Sequence, residues 1–276
     1  MLIVIKGAGD LASGIALRLF HAGFDIAMTE IAAPLAVRRT VSFSQAVYGG
    51  TALVEDVSAV LAPDAPAVLD IIAGKRIAVI VDPAAAIVKK LRPSALVDAI
   101  MAKKNTGTAI TDAPLVTGVG PGFTAGLDCH AVIETNRGHT LGRVITSGSA
   151  LPNTGIPGEI GGFSAERLLR TGADGIFEAV AEIGGRITKG GTAAWVRPRG
   201  GSSAGVPVIA GIDGILRGIL PSGIAVTSGL KAGDIDPRCE PSHCFTVSDK
   251  ALAIGGGVLE ALLRLYPEAR PKKSPE

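Results

Sequence analysis

Residues 7–14 read Gly7-Ala8-Gly9-Asp10-Leu11-Ala12-Ser13-Gly14, and their types and spacing suit one task, holding a phosphate against backbone amides. Gly7-x-Gly9-x-x-Ala12 is the dinucleotide fingerprint in its G-x-G-x-x-A form. Gly7 allows a tight turn, Gly9 lets a pyrophosphate reach the backbone, and Ala12 lets a helix pack closely on a strand. Leu11 lies in the first turn of that helix, whose N-terminal amides attract anions. Glu30 follows at the end of a second apolar run, where an acid accepts ribose hydroxyls. Asp10 pulls two ways: it either repels a phosphate and competes for the same amides, or simply caps the helix.

A second set of candidate ligand groups lies in mid-chain. Gly120 and Gly122, in Gly120-Pro121-Gly122-Phe123, form a glycine loop whose amides suit an anion. His130, Glu134, Arg137 and His139 follow within a short stretch. On a strand, His130 and Glu134 share a face because their spacing is even. No fourth ligand stands at a recognised metal spacing, so these residues read as a polar cleft edge and no metal site is expected. Cys239, His243 and Cys244 are likewise poorly spaced for one ion, and a buried Cys more often acts as a small hydrophobe. Arg38 and Arg39 lie just past Glu30. They suit either a 2′-phosphate, which would favour NADP, or a solvated helix face.

These groups need elements to hold them. Met1 to Ile5 reads as a short buried strand, and Leu11, Ile15, Leu17, Leu19 and Phe20 fall on one broad side of a helix. A second strand runs from Phe24 to Thr29, a partly helical segment from Leu35 to Val47, and a third strand from Thr51 to Val54. A helix from Ala65 to Ala73 precedes the unbroken apolar run Arg76 to Val81, which suits a parallel sheet buried on both faces. Then come a helix from Ala84 to Leu91, an ambiguous segment from Ser94 to Ala102, and strands at Leu115–Gly120 and Cys129–Thr135. The alternation argues for a doubly wound α/β domain of the Rossmann kind.

Length and composition set bounds. At 276 residues the prior is about two domains. Hydrophobic residues make up 47% but aromatics only 4%, so the cores must be built from Ala, Val, Ile and Leu. A net charge of +2 gives no electrostatic case for nucleic acid. The opening apolar run has no basic region ahead of it and reads as a strand rather than a signal peptide. No apolar stretch approaches the ~18 residues of a membrane span, and the three cysteines make no disulfide framework. A cytoplasmic protein is expected.

The second half carries an internal repeat. Gly172 to Gly190 aligns without a gap on Gly211 to Gly229. Asp174-Gly175-Ile176 falls on Asp213-Gly214-Ile215, Gly184 on Gly223, Thr188 on Thr227 and Gly190 on Gly229. Each copy reads as turn, strand, turn, short strand, turn. Two such halves resemble the biotinyl/lipoyl carrier fold, a barrel-sandwich. The connection from Arg197 to Pro207 contains Arg197 and Arg199 but no lysine, which excludes a carrier role. The expected organisation is a Rossmann-like nucleotide-binding domain at 1–150, and a β domain at 151–247 with repeats at 172–196 and 211–235. A C-terminal helix and tail follow at 248–276.

Several further motifs accompany residues 7–14: Val37-Arg38-Arg39-Thr40-Val41, Ala102-Lys103-Lys104-Asn105, Pro152-Asn153-Thr154-Gly155-Ile156-Pro157-Gly158, Asp234-Ile235-Asp236-Pro237-Arg238, Ser248-Asp249-Lys250-Ala251 and Gly255-Gly256-Gly257-Val258-Leu259-Glu260. Together, along essentially the whole chain, they resemble the YqeB family, accessory proteins of the selenium-dependent molybdenum hydroxylase system. The first domain is also similar in kind to that of XdhC-type chaperones. The resemblance implies an accessory role with a molybdenum hydroxylase client and a phosphate-bearing ligand, either NAD(P) or a molybdopterin-type cofactor. It supplies no catalytic residues. The alternative is an NAD(P)-dependent oxidoreductase, whose proton donor would be His130, His139 or Cys244.

Overall fold

A computed structural model describes residues 1–153, 155, 158–198 and 205–269. Arg199, part of the 152–158 motif and the tail from 270 onward lie outside the described residues. The chain divides into two compact units. The first comprises Met1–Pro34, Phe43–Asn153 and Val247–Glu276, the second Leu35–Ser42 and Thr154–Thr246. The division differs from the linear one expected above in two places: residues 35–42 join the second unit, and the C-terminal helix joins the first.

In chain order the first unit contains β1 (Leu2–Lys6), α1 (Asp10–His21), β2 (Asp25–Glu30), α2 (Ala46–Gly49), β3 (Thr51–Val54), β4 (Val57–Ala62), α3 (Ala65–Ala73), β5 (Ile77–Val81), α4 (Val88–Leu91), β6 (Ala95–Asp98), β7 (Leu115–Val119), β8 (Ala131–Ile133) and β9 (Val144–Ile145). These strands make one sheet in the order β3-β4-β5-β2-β1-β6-β7-β8-β9. Pairings from β4 to β8 are parallel, while β3 and β9 are antiparallel edges. Val4, Leu96, Val116 and Val132 pack on one face with Val68 and Val88.

The expectation of a Rossmann-like doubly wound parallel sheet is corrected by this layout. The sheet is mixed. Neither crossover, 99–114 between β6 and β7 nor 120–130 between β7 and β8, contains a helix. The first carries Asn105, Gly107, Asp112 and Pro114, and the second Gly120, Pro121, Gly122 and Gly126, residues that favour turns over helices. The helical cover there comes from the end of the chain, where α5 (Asp249–Leu265) packs on α1, β7, β8 and β9. Ser248 caps α5, its hydroxyl accepting the Ala251 amide at 3.3 Å. The segment expected to be helical from Leu35 forms only short 3-10 turns before α2. No helix among the described residues is long and apolar enough to cross a membrane.

The second unit contains β10 (Leu168–Arg170), β11 (Gly175–Ala179), β12 (Arg186–Ile187), β13 (Thr192–Arg197), β14 (Val206–Ile209), β15 (Gly214–Ile219), β16 (Ala225–Val226) and β17 (Lys231–Asp236). They form two antiparallel sheets, β10-β17-β15-β12 and β14-β13-β11-β16. Each strand of one sheet corresponds to a strand of the other in the repeat alignment. The turns reciprocate: Asp174 accepts the Ser228 amide at 2.7 Å, and Asp213 accepts the Lys189 amide at 2.6 Å. Neither half can bury its apolar side chains alone. Phe177 and Val196 share a core with Leu216, Ile219 and Ile235. The expectation of a self-contained biotinyl/lipoyl-like barrel-sandwich is nonetheless corrected. The sheets are antiparallel half-barrels completed by residues from far upstream, with Val37 in the shared core and the Val37 carbonyl carbon and oxygen within 2.9 Å of any side chain at Gly218.

Arginines gather on the two carboxylates of β17, one of them, Arg217, from β15. Asp234 is bonded by Arg167 at 2.7 Å and by Arg217, and Asp236 by Arg238 at 2.6 Å. Burial pushes the Asp236 carboxyl up, but hydrogen bonds from Arg238 and the charges of Arg238 and Arg217 outweigh it and hold the pKa at about 2, below the ordinary 3.8. A depressed folded pKa gives stability that is present above the unfolded value and is lost as pH falls through about 2. Asp236→Asn should therefore cost about 2 kcal/mol at neutral pH. In urea titrations followed by Trp195 fluorescence, the gap to the native protein should close on approaching pH 2.

Candidate functional site

In the first unit the connection after β1 leads to β2 on one side, whereas β6 lies on the other side of β1. The carboxyl ends of β1 and β6 thus border a topological switch point, where open α/β sheets bind ligands. The 7–14 motif stands there. Gly7 leaves β1 at φ +91°, and a Cβ on it would meet the Ala99 oxygen at 3.1 Å, so both conformation and neighbours require glycine. The Ser13 hydroxyl donates to the Ala8 oxygen at 3.1 Å and accepts the Phe43 amide at 2.8 Å, pinning the turn. Gly9 is different. Its backbone is extended (φ −69°, ψ −178°), a conformation open to any residue, and a Cβ there would find nothing within 4 Å.

Asp10 is the first residue of α1 rather than its cap, and its carboxylate accepts the Leu11 amide at 2.9 Å. It therefore competes for one of the amides that a phosphate would use. Ala12 is buried and lets α1 lie close to the sheet. Glu30 accepts the Ala8 amide at 2.9 Å through one oxygen and the Ile31 amide at 2.8 Å through the other. Each oxygen retains a lone pair for a further donor.

The second group of candidates is divided by the sheet. Gly120 (φ +83°) lies at the carboxyl edge, but a side chain there would strike Thr135 at 2.9 Å, and one on Gly122 would strike the Lys104 backbone at 2.6 Å. Chain packing accounts for both glycines. His130 precedes β8 at the opposite, amino edge, where its Nδ1 accepts the Val116 amide at 3.0 Å. Glu134 is buried and accepts the amides of Thr135, Asn136 and Leu151 at 2.7–2.9 Å. Arg137 pairs with Asp249 at 2.9 Å, and His139 is exposed. No group of three or more His, Cys, Asp or Glu residues among the described residues is arranged to hold a metal ion.

Sequence reasoning missed several groups. Lys250, in the first turn of α5, sits in the fields of Asp10, Glu134, Asp249 and Arg137. Burial, aided by Arg137, pulls its ammonium below the ordinary lysine range against the three carboxylates. At the switch point itself, Lys6 donates to Thr108 Oγ1 at 2.6 Å and lies 3.1 Å from Asp98 Oδ2. The Thr108 hydroxyl donates to that same oxygen at 2.6 Å. All three side chains are buried. Arg38 and Arg39, read as solvated or as 2′-phosphate ligands, belong to the second unit. There Arg38 donates to the carbonyls of His243 and Thr246, and Arg39 to that of Ile219.

No family model matches the chain. It is 49% identical over 264 residues to the uncharacterized protein YqeB of Escherichia coli strain K12, a match covering 96% of this chain and 48% of that protein. The similarity supports the resemblance to the YqeB family, and the chain spans about half the length of the curated relative it matches. Three solved structures resemble it in part. An aspartoacylase family protein from Mesorhizobium loti is 12% identical, with 85% of this chain and 84% of that chain covered and a TM-score of 0.32. A succinylglutamate desuccinylase from Silicibacter is 13% identical, with 85% and 84% covered and a TM-score of 0.27. A succinylglutamate desuccinylase/aspartoacylase from Rhodobacter sphaeroides is 24% identical over 26% of this chain and 22% of that chain, at a TM-score of 0.24.

The expected functions of molybdenum-hydroxylase accessory protein and NAD(P)-dependent oxidoreductase are not those of the proteins found: these solved neighbours are named as aspartoacylases and desuccinylases. Of its three candidate proton donors the oxidoreductase reading keeps only His139, exposed in the loop after β8. His130 stands at the wrong edge of the sheet, and Cys244 is a buried thiol of the other unit, its pKa raised by burial.

Proposed function

We propose that the first unit is a cytoplasmic small-molecule-binding module whose ligand is a phosphate-bearing compound of nucleotide type, seated over Gly7, Gly9, Leu11 and Ala12 at the switch point. One observation carries the reading. Gly9 is a glycine that the fold itself does not need, in allowed backbone geometry with open space where a side chain would stand. Close approach of a ligand explains its identity. NAD(P) and molybdopterin-type cofactors both present a phosphate of the required kind. Glu30 would orient a ribose by accepting its hydroxyls. The three free cysteines suit a reducing compartment.

Titration calorimetry with ADP, NAD and NADP tests this. Native protein should bind ADP and NAD. NADP should bind at least about tenfold more weakly, because its 2′-phosphate would meet the Glu30 carboxylate in place of a charge-assisted hydrogen bond. Gly9→Val should abolish binding while leaving the melting temperature near native. Equal affinity in that variant, or a preference for NADP, would sink the reading.

A further inference from the structure

A cavity of about 890 Å³ opens on the sheet face opposite α1, lined by Lys6, Ala85, Val88, Leu96 and Ala113 among others. Its volume is that of a small-molecule site and its floor is apolar. The buried ammonium of Lys6 at its wall is already neutralised by Asp98, and Asp112 turns one carboxylate oxygen onto the Ala109 amide at 2.8 Å. Asp112 keeps its negative charge, and against it stand Lys89 and Arg92, two exposed cations that also line the cavity and leave it one positive charge in excess. Neither has an ion-pair partner among the described residues. Arg92 is itself the left-handed residue that ends α4 (φ 46°), a conformation that non-glycine residues seldom adopt.

We propose that this cavity is a second ligand site, for a small amphipathic anion. Its carboxylate or phosphate would sit between Lys89 and Arg92, with its apolar body against Val88, Leu96 and Ala113. Two unpaired cations beside an apolar floor reward a ligand that is charged at one end only. A neutral ligand of equal size would gain the apolar contact but leave both cations to water.

Phenyl phosphate, benzoate and benzyl alcohol, titrated into ¹⁵N-labelled full-length protein and followed by amide chemical shifts, test the proposal. Both anions should move the resonances of residues 84–88 and 111–113, and benzyl alcohol should bind at least tenfold more weakly. The ranking of the two anions identifies the preferred head group. Lys89→Glu with Arg92→Glu, at two exposed side chains, should reduce the anions to the affinity of the alcohol. Gly9→Val should leave these titrations unchanged, so the outcome is independent of the nucleotide reading. Equal binding of the alcohol, indifference to the charge reversal, or shifts confined to residues 7–12 would each overturn it.

Discussion

Lys6→Met is expected to destabilise the first unit by about 3–5 kcal/mol, the cost of removing one member of a buried ion pair. Methionine is close to lysine in volume, so the loss is electrostatic rather than steric. The variant strands the Asp98 carboxylate, 1% exposed, with no cation and only the Thr108 hydroxyl and the Ile100 amide as remaining donors. The triple replacement Lys6→Met, Asp98→Leu, Thr108→Val removes every polar atom of the triangle together and should recover most of the loss, since a buried pair is seldom more stable than well-packed apolar groups. Far-UV circular dichroism in urea is the appropriate probe, because α1, α3 and α5 all lie in this unit, whereas the single tryptophan, Trp195, lies in β13 of the other. A single-variant cost below about 1 kcal/mol would mean that the triangle is solvated in solution. So would a triple variant no more stable than the single one.

That triangle also shows where reading the chain alone runs out. β1, β2, β3, α3, β5 and β7 are legible because each is a local pattern, an apolar run or a capped stretch. The Gly7–Ala12 turn is legible for the same reason, its spacing being contained in six residues. Lys6, however, meets Thr108 at a separation of 102 residues, and no local pattern announces such a pair. Arg38 and Arg39 resemble solvated cations until the carbonyls they serve, 180 to 208 residues away, fold onto them. β4 escaped notice because only Glu55-Asp56 separates it from β3, so the hairpin reads as one strand and a loop. The doubly wound expectation failed through an assumption about crossovers. Strand alternation was visible, but the helix covering β7 and β8 is supplied by residues 249–265. Lys250 arrives at the site with it.

The three consecutive glycines of that helix have unequal roles, and substituting them one at a time should separate these. A Cβ on Gly257 would lie 2.1 Å from the Gly142 carbonyl oxygen and 2.9 Å from Ile133 Cγ2. Gly142, at φ +80°, is itself within 2.6 Å of the Ala253 oxygen once given a Cβ. Helix and loop meet backbone to backbone, with no flexible side chain able to yield. Gly257→Ala is therefore expected to cost about 3 kcal/mol or more, the upper end of overpacking, and to loosen α5 along its contact with β8. Gly256, one residue earlier, has nothing within 4 Å of a Cβ. Gly256→Ala should accordingly stabilise the helix by about 1 kcal/mol, the ordinary gain in helix propensity. Amide hydrogen exchange along α5 supplies the readout, slower than native in Gly256→Ala and faster in Gly257→Ala. Both variants shifting in the same direction would show that α5 does not rest on residues 138–142 as described, and Lys250 would lose its placement beside Asp10 and Glu134.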